Sequence, residues 1–155
     1  MTPEKLQKEL CKEIKILMKD VLLEDSNRKT SRLNIFSQNL PYSQNEEDLP
    51  PYPYCIVALT TNELPPERKP QKQGVTLYFG ICYWNEDCQY QHTMLTMFEK
   101  IKRRFKTNPL IGEFSCNDNI LSVLDDEDDV SYPYYYGGMQ LTFDLPNYER
   151  EDVFT

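Results

Sequence analysis

Five cysteines and one histidine are the residues in this 155-residue chain with the widest chemical repertoire. Cys11, Cys55, Cys82, Cys88 and Cys116 stand at scattered spacings, and no two form a C-x-x-C pair. A zinc site needs grouped thiolate or imidazole ligands. With only His92 to add to these cysteines, no metal set is expected. Reduced, partly buried thiols of a cytosolic protein are the simplest reading. His92 is the only imidazole that could serve a nucleophile as a base. It lies between Gln91 and Thr93 in a helical pattern that names no partner, so an ordinary surface or half-buried histidine is expected. No G-x-S-x-G elbow, Walker loop or dinucleotide fingerprint occurs. The pair Gly137-Gly138 follows a tyrosine run and precedes a strand, which suits a bulge or a close backbone approach better than a phosphate cradle. No catalytic, cofactor or metal site is expected, and the chain reads as a non-enzyme.

The charged and aromatic runs suggest binding. Asp125, Asp126, Glu127, Asp128 and Asp129 are hard oxygen ligands of the kind calcium takes, but the run lacks the D-x-[DN]-x-[DN]-G pattern. Two readings remain for it: a solvated hairpin loop, or a loop facing a partner or a lumen through which DNA passes. In the second, like charge would keep DNA from sticking. Lys100, Lys102, Arg103, Arg104 and Lys106 fill the last turns of a helical pattern. They either complement the helix dipole or form a phosphate patch. Tyr132, Tyr134, Tyr135 and Tyr136 could stack bases, yet stacking platforms sit in cationic grooves and the neighbours here are acidic. Core packing combined with a subunit interface fits the tyrosines better. The net charge of −8 also disfavours a nucleic-acid coat protein.

The elements that must hold these residues follow from periodicity. Thr2 and Pro3 suit an N-cap and a first helical residue. Leu6, Leu10, Ile14, Leu17 and Val21 then form one stripe, predicting a helix of about six turns that ends near Asp25. Residues 26–53 form a long polar loop, within which Leu33–Phe36 is a short strand or an anchor. Tyr54–Leu59 is an unbroken apolar run, predicting a strand covered on both faces. After a proline-rich segment at 64–73, residues 75–83 alternate as a second strand. Asn85-Glu86-Asp87 is expected to open a second helix, with Tyr90, Met94, Met97, Phe98, Ile101 and Phe105 on its apolar face, and Asn108-Pro109 to stop it. Two further strands are expected around 119–124 and 139–145, followed by a C-terminal tail at 146–155. The expectation is therefore a single α+β domain over 1–155, with a four-stranded, mainly antiparallel sheet and two main helices on one face. No apolar run nears the roughly 20 residues of a membrane span, and the N-terminus lacks a signal peptide's apolar region.

Five segments, in this order, carry a resemblance: Phe36-Ser37-Gln38-Asn39-Leu40-Pro41, Tyr52–Leu59, Gly80-Ile81-Cys82-Tyr83, Asn108-Pro109-Leu110-Ile111-Gly112, and Tyr132–Phe143. Together with the length, they resemble the tail-completion or tail-terminator proteins of tailed bacteriophages. The resemblance spans nearly the whole chain. It implies a homo-oligomeric ring, usually a hexamer, that caps the tail tube and ends its polymerisation. The ring would present the surface for head–tail joining and would pass DNA through its lumen. The implied partners are other copies of the chain, the tail tube protein and a head-completion or connector protein, with no membrane and no cofactor. The implied place is the head-proximal end of the virion tail, after assembly in the host bacterial cytoplasm. Under the resemblance, Phe36, Leu40, the acids 125–129 and Tyr132, Tyr134, Tyr135 and Tyr136 are candidate interface or lumen residues. A head–tail adaptor or stopper, a minor tail protein and a non-viral adaptor domain are the alternative readings.

Overall fold

The computed structural model describes residues 2–45, 47–125 and 132–146. Helix α1 (Pro3–Leu17) begins as its sequence directs: the Thr2 hydroxyl accepts the Lys5 N–H at 3.3 Å, and Pro3 occupies the first turn. Leu6, Leu10, Ile14 and Met18 are buried along one stripe. The helix is shorter than its periodicity predicts and stops after 15 residues, with Met18 as its cap. Beyond it the chain turns into strand β1 (Leu23–Glu24), and Glu24 pairs with Cys82. Long-range pairing has overridden the local pattern here.

Helix α2 (Gln91–Thr107) starts later than expected. The Asn85 side-chain oxygen accepts the Asp87 N–H at 3.1 Å, and the Asp87 carboxylate accepts the Gln89 N–H at 3.0 Å. Asn and Asp compete with the helix by bonding their own backbone two residues on, so these acids build turns and not the first helical turn. At the other end Arg104 binds Glu13 of α1 and donates to the carbonyls of Asn108 and Leu110. One guanidinium thus ties the two helices together and closes the end of α2.

The sheet has nine strands among the described residues, not the four expected. Strand β5 (Lys72–Cys82) is central and antiparallel to both β4 (Tyr54–Glu63) and β9 (Tyr134–Asp144). Strand β3 (Asn34–Ser37) adds in parallel to β4, and β8 (Leu121–Leu124) adds antiparallel to β9. Short pieces complete the rims. Strand β2 (Thr30–Ser31) pairs with β1, while β6 (Leu110–Ile111) pairs with β7 (Phe114–Cys116), which itself meets the end of β9. Strand β8 is the one expected around 119–124 and β3 overlaps the short strand or anchor expected at Leu33–Phe36, whereas the unexpected β1, β2, β6 and β7 are two or three residues long, too short for periodicity to register. They form because the edges of the long strands present N–H and C=O groups that need partners.

Both helices pack against one face of this sheet. Cys55 and Val57 of β4, Val75, Leu77, Phe79 and Ile81 of β5, and Met139, Leu141 and Phe143 of β9 point toward them in one continuous core. Gln7 of α1 anchors the contact by donating to the Val57 carbonyl at 2.8 Å and to Gln38 Oε1 at 3.0 Å. Gln38 stands just past β3 and pairs with β4 through its side chain, accepting the Leu59 N–H at 2.9 Å. On the other helix, Phe98 meets Phe79 edge-on at 5.6 Å between ring centres. It lies over Gly137, where a Cβ would stand 3.0 Å from Phe98 Cζ and 3.1 Å from Met94 Sδ. The missing side chain at Gly137 is what lets α2 sit this close. Truncating Phe98 to alanine empties the centre of the core. The expected cost is about 3–5 kcal/mol, read as a lower urea midpoint with an unchanged slope.

Candidate functional site

The alternation that sends Val75, Leu77, Phe79 and Ile81 to the helices sends Thr76, Tyr78, Gly80 and Cys82 to the other face. No helix covers that face among the described residues. Strand register lines its residues up in rows. One row runs across five strands as Phe36, Ile56, Tyr78, Gly138 and Val123. Another runs Tyr54, Gly80, Tyr136. Gly138 carries no side chain between Tyr78 and Val123, so the sheet is hollow there. The result is a trough of about 640 Å³ lined by Tyr54, Ile56, Tyr78, Val123, Tyr136 and Gly138 of these rows together with Leu121 and Gln140. Tyr78 is 48% exposed, Leu121 52% and Val123 55%. Three large apolar side chains at neighbouring register positions, each half in water, make a contiguous patch and not scattered surface residues.

A tyrosine cluster walls one end of the trough. Tyr52 stacks on Tyr134 with centroids 4.6 Å apart and rings 28° from parallel, and its hydroxyl is 2.5 Å from that of Tyr136. Tyr54 lies 5.3 Å from Tyr52 and folds across Gly80, where any Cβ would collide with its ring. Phe36, Leu40, Ile56 and Trp84 pack around this cluster. Trp84 is itself fixed from several sides. Its indole N–H donates to the Asp25 carbonyl at 2.9 Å, its carbonyl accepts the Tyr132 hydroxyl at 2.7 Å, and the Arg28 guanidinium lies 4.6 Å from its ring centre.

The candidate residues from the sequence are therefore divided. Phe36, Leu40, Tyr134 and Tyr136 converge on the outer cluster, and Tyr132 flanks it through Trp84. Tyr135 is separated from them by strand alternation. It is buried on the helix side and stacks on Tyr90 at 4.2 Å, with rings 9° from parallel. Asp125 is exposed at the mouth of the trough, and its N–H donates to the Tyr136 carbonyl at 3.1 Å. Asp126, Glu127, Asp128 and Asp129 lie outside the described residues. Tyr78, Leu121, Val123, Ile56 and Tyr54 were not singled out from the sequence. The signal for Tyr78 was present as the second phase of the β5 alternation, in which an aromatic stands where a solvated face would carry a charge.

Burial sets the ionisation of this surface. Desolvation raises Tyr54 to about 12 and, aided by Asp25 and Glu24, raises Cys82 to about 12. Burial followed by the hydrogen bond to Tyr136 raises Tyr52 further still. The surface is thus neutral at physiological pH, with hydroxyl tips on apolar bodies, a composition suited to contact with another protein. His92 stands exposed in the first turn of α2, and all five cysteines are free thiols. Among the described residues no group of three or more His, Cys, Asp or Glu side chains is placed to hold a metal ion, and no helix is long and apolar enough to cross a membrane. A scan of protein-family models finds none that matches this chain, and a search of curated proteins finds no match either.

Two outcomes follow from this geometry. Tyr52, Tyr54, Cys82 and the deeply buried Cys55 hold their protons above the ordinary values of 10.0 for the phenols and 9.0 for the thiols. The unfolded chain gives these protons up first. Stability is therefore full below about pH 9 and declines as pH rises toward 12. Urea titrations at a series of pH values read the decline directly, and a flat profile up to pH 11 would mean that the cluster is solvated. Separately, Gly80→Val must push Tyr54 off the sheet. It is expected to cost about 1–3 kcal/mol and to increase tyrosine accessibility to solvent quenchers, whereas Gly112→Ala, at an exposed turn, leaves the tyrosines unchanged.

Proposed function

We infer that this chain is a structural subunit of a tailed-phage virion that works by binding and not by catalysis. In this reading it forms a ring at the head-proximal end of the tail, caps the tube, ends tube polymerisation and offers the surface to which the head joins. The segments from Phe36–Pro41 to Tyr132–Phe143 support the reading by their resemblance to tail terminators. The observation that carries it is the tyrosine-rich trough on the sheet face opposite the helices, uncovered among the described residues. A subunit in a closed ring must present two different patches, and a large neutral aromatic surface is well suited to be one of them. Stable interfaces of this kind bury roughly 800 Å² per partner, more than Tyr78, Leu121 and Val123 supply alone, so the tyrosine wall and the loops beside it would take part.

Tube termination needs no chemistry under this scheme. One face of the ring would match the last ring of the tube, and the other would offer no site for a further tube subunit. DNA would pass through the lumen without sequence-specific contact, consistent with an acidic chain. Assembly would take place in the host bacterial cytoplasm, with tail tube protein on one side and a head-completion or connector protein on the other. Native mass spectrometry is expected to find a ring, with six copies as the expected number. Electron microscopy of tube protein polymerised with the chain present is expected to find shorter tubes, each ending in that ring. Tubes of unchanged length with bare ends would remove the reading.

A further inference from the structure

We propose that the trough receives the outward face of helix α2 from a second copy of this chain, in a head-to-tail contact. The proposal rests on the ring reading and names the two surfaces that would build the ring. Charge is the first argument. The two helices carry nine Lys and Arg residues against four Asp and Glu, whereas the rest of the chain carries eight against 21. The helix layer is cationic on an otherwise strongly acidic molecule. The trough lies on the opposite side of the sheet, no Lys, Arg or His lines it among the described residues, and Asp125 stands at its mouth.

That asymmetry selects the geometry. Two troughs packed face to face would join two surfaces that each carry a carboxylate and, among the described residues, no basic lining, so neither offers the other an opposite charge. Helix α2 of another copy brings the opposite sign. Leu95, Glu99, Arg103 and Lys106 recur at three- and four-residue spacing on the side of α2 away from its buried residues, and all four are exposed. Leu95, 44% exposed, is an apolar side chain without cover on that face. In this contact it would enter the hollow over Gly138, which strand register sets between Tyr78 and Val123. Arg103 and Lys106 have apolar stems that lie well on aromatic rings, and the exposed Tyr78 ring offers them a cation–π surface beside the Asp125 carboxylate. Because helices and trough occupy opposite faces of one sheet, each subunit engages both at once. A contact between unlike patches then propagates until the rotation closes a ring.

The test uses two surface variants of the full chain. Leu95→Asp with Arg103→Glu breaks the helix face and keeps the trough. Tyr78→Glu with Val123→Asp breaks the trough and keeps the helix face. Each alone is expected to be monomeric in native mass spectrometry and light scattering, with self-association weakened about 30-fold or more. Mixed together they are expected to form a one-to-one dimer that grows no further, because only one intact pair of surfaces remains. Should the trough variant unfold, Asp125→Lys and Arg103→Glu carry the test: each alone weakens assembly, and the two in one chain restore it. A helix-face variant that still self-associates, or monomeric variants that give no mixed dimer, would overturn the contact. A wild-type ring that caps tubes while surviving both sets of substitutions overturns this interface and leaves the ring reading intact. A wild-type chain that is monomeric and leaves tube ends bare overturns both.

Discussion

The pleat of a β-strand sends successive side chains to opposite faces, and this molecule has helices for one of them. Everything else in the architecture responds to that constraint. On the helix side, Phe79, Phe98, Phe143 and their neighbours form a dry core closed by two amphipathic helices. On the other side, no helix covers the same three long strands among the described residues. They carry Tyr54, Tyr78, Tyr134 and Tyr136 there, residues that tolerate water and still bury well. Glycine is used where an aromatic needs room. Gly80 lies beneath Tyr54 and Gly137 beneath Phe98, so each face of the sheet has its own close approach.

Electrostatics follow the same division. Cations gather in the helix layer, while among the described residues the trough has no basic lining and burial holds Tyr54 and Cys82 in their protonated forms. A neutral aromatic surface rimmed by a carboxylate can meet a cationic partner without burying an unpaired charge, which is the costly step in most charged interfaces. The contacts around the tyrosine cluster are ring on ring, hydroxyl on hydroxyl and guanidinium on ring. Arg28 over Trp84 supplies the last of these, and Arg104 joins α1 to α2.

Legibility in the sequence varied with element length. The α1 stripe, the α2 stripe and the alternations of β5 and β9 were readable because each repeats its period several times. Strands of two or three residues, such as β1, β2 and β6, complete fewer than two periods. Pairing with a longer neighbour decides them, so no local pattern could announce them. The start of α2 was misplaced because acids favour both a helix N-terminus and an Asx turn, and only the bonds from Asp87 and Gln89 distinguish the two. Among the candidate residues, Phe36 and Leu40 came with the resemblance and the tyrosines with their run in the sequence, and the fold packs Phe36, Leu40, Tyr134 and Tyr136 into one cluster. Tyr135 lies between the last two in sequence, but strand alternation turns it to the helix side.

By itself the sequence determined the α+β class, the helix faces and the run of tyrosines, because these depend on local periodicity and side-chain character. Tertiary structure alone decided which tyrosines share a surface, since that requires the register of β4, β5, β8 and β9 against one another. It also decided that Tyr78, Gly138 and Val123, 60 and 15 residues apart along the chain, form one row with a hollow at its centre. Strand pairing converts distance along the chain into adjacency across the sheet, and no single segment encodes the partner it will be placed beside.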